Sequence, residues 1–117
     1  MTAEQPGAAP GLDPEDAKII TLARSVRARN RAPEGAAVRD ATGRTYAAVT
    51  VALPSLKLSA LEVAVAMAVS SGADRLEAAA VVSEAAELAE ADFAAARDLN
   101  VGAVILAAPN GAVVTRR

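Results

Sequence analysis

The sequence contains no cysteine and no histidine. These two side chains supply the thiolates and imidazoles of most zinc sites and the commonest nucleophile–base pairs. A conventional zinc hydrolase or a cysteine/histidine enzyme is therefore excluded at the outset. Aromatic residues are limited to Tyr46 and Phe93, which leaves almost no stacking platform for the bases of single-stranded nucleic acid. The core must be built from Ala, Val, Leu and Ile. A dominant charge is also missing: 12 basic against 14 acidic residues give a net charge of −2, too weak a field to draw the whole molecule to nucleic acid or a membrane surface. No charge-free apolar run reaches the roughly 18 residues of a membrane span. The opening MTAEQPGAAPG has neither the basic nor the apolar region of a secretory signal. The expectation is a cytoplasmic protein with no membrane segment.

What is present is one domain's worth of chain: 117 residues, 53% hydrophobic and 22% charged. A chain of this length buries about two-thirds of its unfolded surface and needs no disulfide or metal staple. Residues 1–12, rich in Pro, Gly and Ala without periodicity, are expected to be a flexible arm, and residues 13–117 a single domain.

Asp13-Pro14-Glu15-Asp16 combines an N-cap, a proline at the first helical position and two first-turn carboxylates, so a helix starts there. It carries Ala17, Ile20, Leu22, Ala23 and Val26 toward the core and is stopped by Pro33. Residues 35–40 and 44–51 flank Ala41-Thr42-Gly43 and predict a hairpin. Residues 58–69 alternate like a strand at Leu61, Val63, Val65, Met67 and Val69, but their length and the intervening alanines predict a helix. Ser59-Ala60-Leu61-Glu62 has capping-box spacing, and Ser70-Ser71-Gly72 supplies a stop. A strand over 76–82, a helix over 84–99, a strand over 103–107, a turn at Pro109-Asn110-Gly111 and a strand over 112–115 complete the order. Helices packed on a mixed sheet follow from that alternation.

Few residues invite a chemical role. Ser59 could be a nucleophile only with a Lys or carboxylate as base, and its spacing to Glu62 makes it a helix cap instead. Asp40, Glu62 and Asp74 have no spacing suited to a hard cation and are expected to be solvated loop and cap carboxylates. Glu84, Glu87 and Glu90 form a stripe at a helix start, favoured by the helix dipole. Arg24, Arg27 and Arg31 share one helical face, with Arg29 and Arg39 near, and could form a phosphate patch. Stabilisation of cations at a helix C-terminus is the preferred account of them.

The element order and the residues at its joints resemble the cytidine deaminase family. Glu34-Gly35-Ala36-Ala37-Val38, Gly43, and Ala48 to Ala52 stand where that family has its first two strands. Ser59-Ala60-Leu61, Ala64, Ala68-Val69-Ser70 and Gly72 follow its second helix, and Ala79-Ala80-Val81-Val82-Ser83 its next strand. The resemblance implies a three-layer α-β-α domain with a five-stranded mixed sheet. It also implies zinc held by a Cys or His opening the second helix and a Cys-x-x-Cys opening the third, with a Glu two residues after the first ligand as proton shuttle. Ser59 and Leu61 stand at the first ligand and the shuttle, and Glu84 to Glu90 contains no Cys-x-x-Cys. Thr50 and Ala52 replace the Asn and Glu that bind ribose in the family. No cofactor is therefore expected.

The resulting expectation is a non-catalytic, deaminase-like scaffolding or interaction module. It would form a dimer or tetramer or bind another protein, with Leu58, Leu61 and Val65 as the interaction face. A divergent nucleoside deaminase and an RNA- or ribonucleoprotein-associated module using the Arg face are the alternative readings.

Overall fold

The computed structural model describes residues 12–117. The arm expected over residues 1–12 lies outside them except for Leu12, which packs against the core. Helix α1 (Pro14–Asn30) begins as its sequence dictates, with Asp13 Oδ1 accepting the Glu15 N–H at 2.7 Å and Pro14 at the first helical position. Its buried stripe is Asp16, Ile19, Ile20, Ala23 and Val26. Leu22, expected inside, is exposed, because helical stepping places Ile19 on the stripe and Leu22 beside it.

Strand β1 (Gly35–Asp40) turns through residues 41–44 into the antiparallel β2 (Thr45–Val49), in register from Gly35 opposite Val49 to Arg39 opposite Thr45. Gly43 takes φ +90° in that turn, a conformation open to glycine and strained for other residues. The second strand was expected to run to residue 51, but it ends two residues earlier. The pairing with β1 closes where β1 itself begins, at Gly35 opposite Val49. The chain instead forms a separate ribbon, β3 (Val51–Leu53) and β4 (Leu56–Leu58), across Pro54-Ser55.

Helix α2 (Ala60–Ser70) resolves the ambiguous alternation in favour of a helix. Ser59 and Glu62 form a complete capping box, and Ala60, Leu61, Ala64, Val65 and Ala68 make one buried face. Strand β5 (Leu76–Val82) pairs antiparallel with β1, and β6 (Val104–Ala107) pairs parallel with β5. Strand β7 (Val113–Arg116) returns antiparallel along β6, giving a mixed five-stranded sheet of order β2-β1-β5-β6-β7.

Helix α3 (Glu90–Arg97) lies in the β5–β6 crossover and starts six residues later than expected. Residues 84–89 have good helical propensity, but the buried Ser83 accepts the Ala85 N–H at 3.0 Å and turns the chain locally. Docking of Asp92 against Ser59 then sets where the helix begins. Tertiary contact overrides propensity here. Glu84 and Glu87 are therefore exposed loop residues, and only Glu90 belongs to a helix start.

The sheet is buried on both faces, so its central strands are continuously apolar. On one face Ile19, Ile20 and Ala23 of α1 meet Ala37, Ala78, Ala80, Val82, Ile105 and Ala107. On the other, α2 and Ala96 of α3 meet Ala36, Val38, Ala79, Val81, Val104 and Leu106. Consecutive strand residues alternate between the two clusters, as a period of two requires. No described helix is long and apolar enough to cross a membrane.

Candidate functional site

The parallel strands β5 and β6 end side by side at Val82 and Ala107. In open α/β sheets the crevice beyond such carboxyl ends is where ligands bind. Here the crevice lies between the second half of α1, the entry to β1 and the loops leaving β5 and β6. It holds two cavities that share Arg27. The larger, about 510 Å³, is lined by Arg27, Pro33, Glu34, Thr50, Ser83 and Glu84. The smaller, about 290 Å³, is lined by Thr21, Arg24, Ser25, Arg27 and Ala28 of α1, with Val82 and Pro109 opposite.

Gly35 makes this geometry possible. A Cβ there would lie 2.1 Å from the Ala23 carbonyl oxygen and 2.8 Å from Arg27 Cβ, so only glycine lets β1 enter directly beneath α1. Both arginines are oriented by backbone. Arg24 Nε donates to the Pro109 carbonyl at 3.1 Å, and Arg27 Nε to the Pro33 carbonyl at 3.2 Å. Arg27 Nη2 also lies 3.6 Å from Glu84 Oε2, a carboxylate that is 80% exposed.

Beside the larger cavity, the starts of α2 and α3 meet. Ser59 Oγ accepts the Glu62 N–H at 3.1 Å and donates to Asp92 Oδ1. Burial pushes the Asp92 carboxyl above its ordinary value; the Ser59 hydroxyl opposes the rise and the Glu62 charge adds to it. Glu34 is raised as well, first by burial and then by the Asp92 carboxylate, against a hydrogen bond from the Ala60 N–H. Two carboxyls that hold protons more readily than usual therefore flank the first turn of α2.

Several sequence expectations change in this geometry. Leu61 is fully buried and Val65 is 9% exposed, both packed in the core, while Leu58 is half-buried in β4. The Leu58/Leu61/Val65 interaction face is therefore not a surface, because the helical stripe that carries Leu61 and Val65 points at the sheet. Arg24 and Arg27 do come together at one cavity. Arg31 does not join them; it is the α1 C-cap in the left-handed conformation, φ 51°. Arg39 lies elsewhere, held by Asp16 at 3.0 Å and Glu77 at 2.9 Å.

Asp40 is a buried turn acceptor rather than a solvated carboxylate. It takes hydrogen bonds from the Thr42 N–H, the Thr42 hydroxyl, the Arg44 N–H and the Tyr46 hydroxyl. Asp40, Glu62 and Asp74 are not brought together as a metal-ligand group. Sequence reasoning missed Glu34 and Asp92. Asp92 was hidden inside a helix expected to begin earlier, and Glu34 carries no signal beyond its place just before a strand.

A family model described as cytidine deaminase-like matches residues 12–111. The chain belongs to the cytidine deaminase-like family. Its fold is similar to that of a cytidine deaminase from Burkholderia pseudomallei, with a TM-score of 0.72 at 22% identity over 86% of this chain and 89% of that one. Comparison with curated proteins finds no significant match. The resemblance drawn from the sequence places the zinc of the cytidine deaminase family at the starts of the second and third helices. Here those starts offer Ser59, Ala89 and Asp92, the last two with two residues between them. A hydroxyl and a carboxylate bonded to each other beside a methyl group are not a zinc donor set, and no thiolate or imidazole exists elsewhere in the sequence.

Proposed function

We propose that this protein is a non-catalytic member of the cytidine deaminase-like family that works by binding, as a scaffolding or interaction module. The observation that carries this reading is the Ser59–Asp92 hydrogen bond, which puts a hydroxyl and a carboxylate, bonded to each other, at the two helix starts where the family's zinc ligands are expected. Leu61, at the position matched to the family's proton shuttle, supports it by being wholly enclosed in the core. Positioned acid/base catalysis is worth roughly 10² to 10⁴ in rate, and Leu61 has no group with which to supply it. Quantifying zinc in the purified protein alongside a cytidine-to-uridine absorbance assay tests the proposal. Neither stoichiometric zinc nor turnover is expected; one zinc per chain with turnover overturns it.

Homo-oligomerisation is part of the proposal, on a different surface from the one the sequence suggested. Leu53 and Leu56 at the tip of the β3–β4 ribbon are 55% and 48% exposed, and Met67 and Val69 on the outer side of α2 are 40% and 49% exposed. Sedimentation at micromolar concentration should show a dimer or tetramer, dissociated by Leu53→Lys with Leu56→Lys or by Met67→Lys. A strictly monomeric parent protein removes this part of the proposal.

A further inference from the structure

Arg24 and Arg27 are arranged as a receptor for an anion. Each guanidinium uses its Nε to hold a proline carbonyl, Pro109 for one and Pro33 for the other, so each planar fork is oriented before any ligand arrives. Among the described residues, the Nη atoms of Arg24 have no acceptor, and those of Arg27 have only the exposed Glu84 at 3.6 Å. Ser25, on the same wall, has a hydroxyl without a hydrogen-bond partner among the described residues. Pre-set donors lose little freedom on binding, which is the main cost of small-ligand recognition. The C-terminal half of α1 opposes an anion with roughly half a negative charge, while the two guanidiniums supply two full positive charges.

The cavity between them is about 290 Å³, the scale of a small polar group rather than of a macromolecular groove. Arg27 also lines the neighbouring cavity of about 510 Å³, whose other lining residues include Glu34, Glu84, Thr50 and Ser83. The anion-binding end is thus followed by a wall of acceptors. We propose that this crevice binds a small phosphomonoester, its phosphate on Arg24 and Arg27 and its body, bearing an amine or other hydrogen-bond donors, beside Glu34. A bidentate guanidinium–phosphate fork accounts for the phosphate end. Glu84 competes with the ligand for Arg27 and, being exposed, can move aside.

Isothermal titration of the full chain with inorganic phosphate, phosphoethanolamine and glycerol phosphate tests the site. All three are expected to bind, with phosphoethanolamine the tightest. Arg24→Gln and Arg27→Gln should each weaken phosphate about tenfold or more, the loss of one charge-assisted contact. Glu84→Gln should tighten it, and Arg31→Gly should leave it unchanged. Thermal melts of each variant separate loss of binding from loss of folding. The proposal is overturned if folded Arg24→Gln and Arg27→Gln variants bind phosphate as the parent does, or if none of the three compounds binds the parent; a labelled single-stranded RNA that then binds through the same arginines would assign the patch to nucleic acid. Phosphoethanolamine no tighter than glycerol phosphate overturns the placement of the ligand body beside Glu34.

Discussion

Asp40 and Asp92 are both buried carboxylates, and their environments drive them in opposite directions. For Asp40, burial alone would raise the carboxyl, but hydrogen bonds from Thr42, Tyr46 and Arg44 outweigh it and hold the group at about 2, below its ordinary 3.8. Its contribution to stability is therefore fully present above pH 3.8 and is lost as pH falls through about 2. Asp40→Asn should lower the urea midpoint at pH 7 and flatten the acid limb of the stability profile; an unchanged acid limb would show that Asp40 is not responsible. Asp92 has the opposite sign. Its raised value means that the native state loses stability as pH rises from 3.8 through that value and is level above it. Asp92→Asn keeps an acceptor for Ser59 and removes the buried charge, so it should melt above the parent at pH 7. Asp92→Ala leaves the hydroxyl without its acceptor, a cost of about 1 kcal/mol, and should melt below Asp92→Asn; the reverse order would contradict this account. None of this was legible in the sequence, where Asp40 looked like any loop carboxylate and Asp92 like one residue of an acidic helix.

Elements whose ends carry side-chain signals were legible. Asp13-Pro14 opens α1 and Ser59 to Glu62 caps α2 as their spacing requires. The β1–β2 hairpin and the strands β5, β6 and β7 fall where alternation, apolar runs and turn residues place them. Elements set by contact with distant residues were not. The start of α3 depends on Ser59, 33 positions from Asp92, and the end of β2 on where its partner β1 begins. Gly35 belongs with these, because what makes it necessary is the α1 backbone above it rather than its own turn geometry. Gly35→Ala should destabilise the protein by about 2 kcal/mol or more, since neither the Ala23 carbonyl nor α1 can shift without moving the packed face. A melting temperature within a degree of the parent would show that α1 moves freely over β1.

At the scale of the whole molecule, two cores of small side chains share one sheet, and the few large residues have disproportionate weight. Leu61 is among the largest fully buried side chains. Leu61→Ala should cost about 2–5 kcal/mol, read as a lower urea midpoint, without changing the sedimentation of the protein that remains folded. A change of oligomeric state with stability preserved would restore Leu61 to an interface. The layered α-β-α arrangement was readable from the sequence because helix and strand periods alternate along it. The crevice was not, because it is assembled from α1, the entry to β1 and two loops that meet only once the sheet has formed.

The hydrogen bond between Ser59 and Asp92 gives the junction of α2 and α3 a different dependence on its surroundings from a joint closed by an ion. If the proposed non-catalytic reading holds, nothing at this junction has to be delivered to a newly made chain. Refolding from urea should proceed at the same rate and to the same yield with EDTA as without it. The junction responds instead to pH: a proton on Asp92 removes the buried charge and leaves a neutral contact, so acid favours it and rising pH weakens it. On the proposed reading, the shape of this junction is set by pH and not by zinc supply.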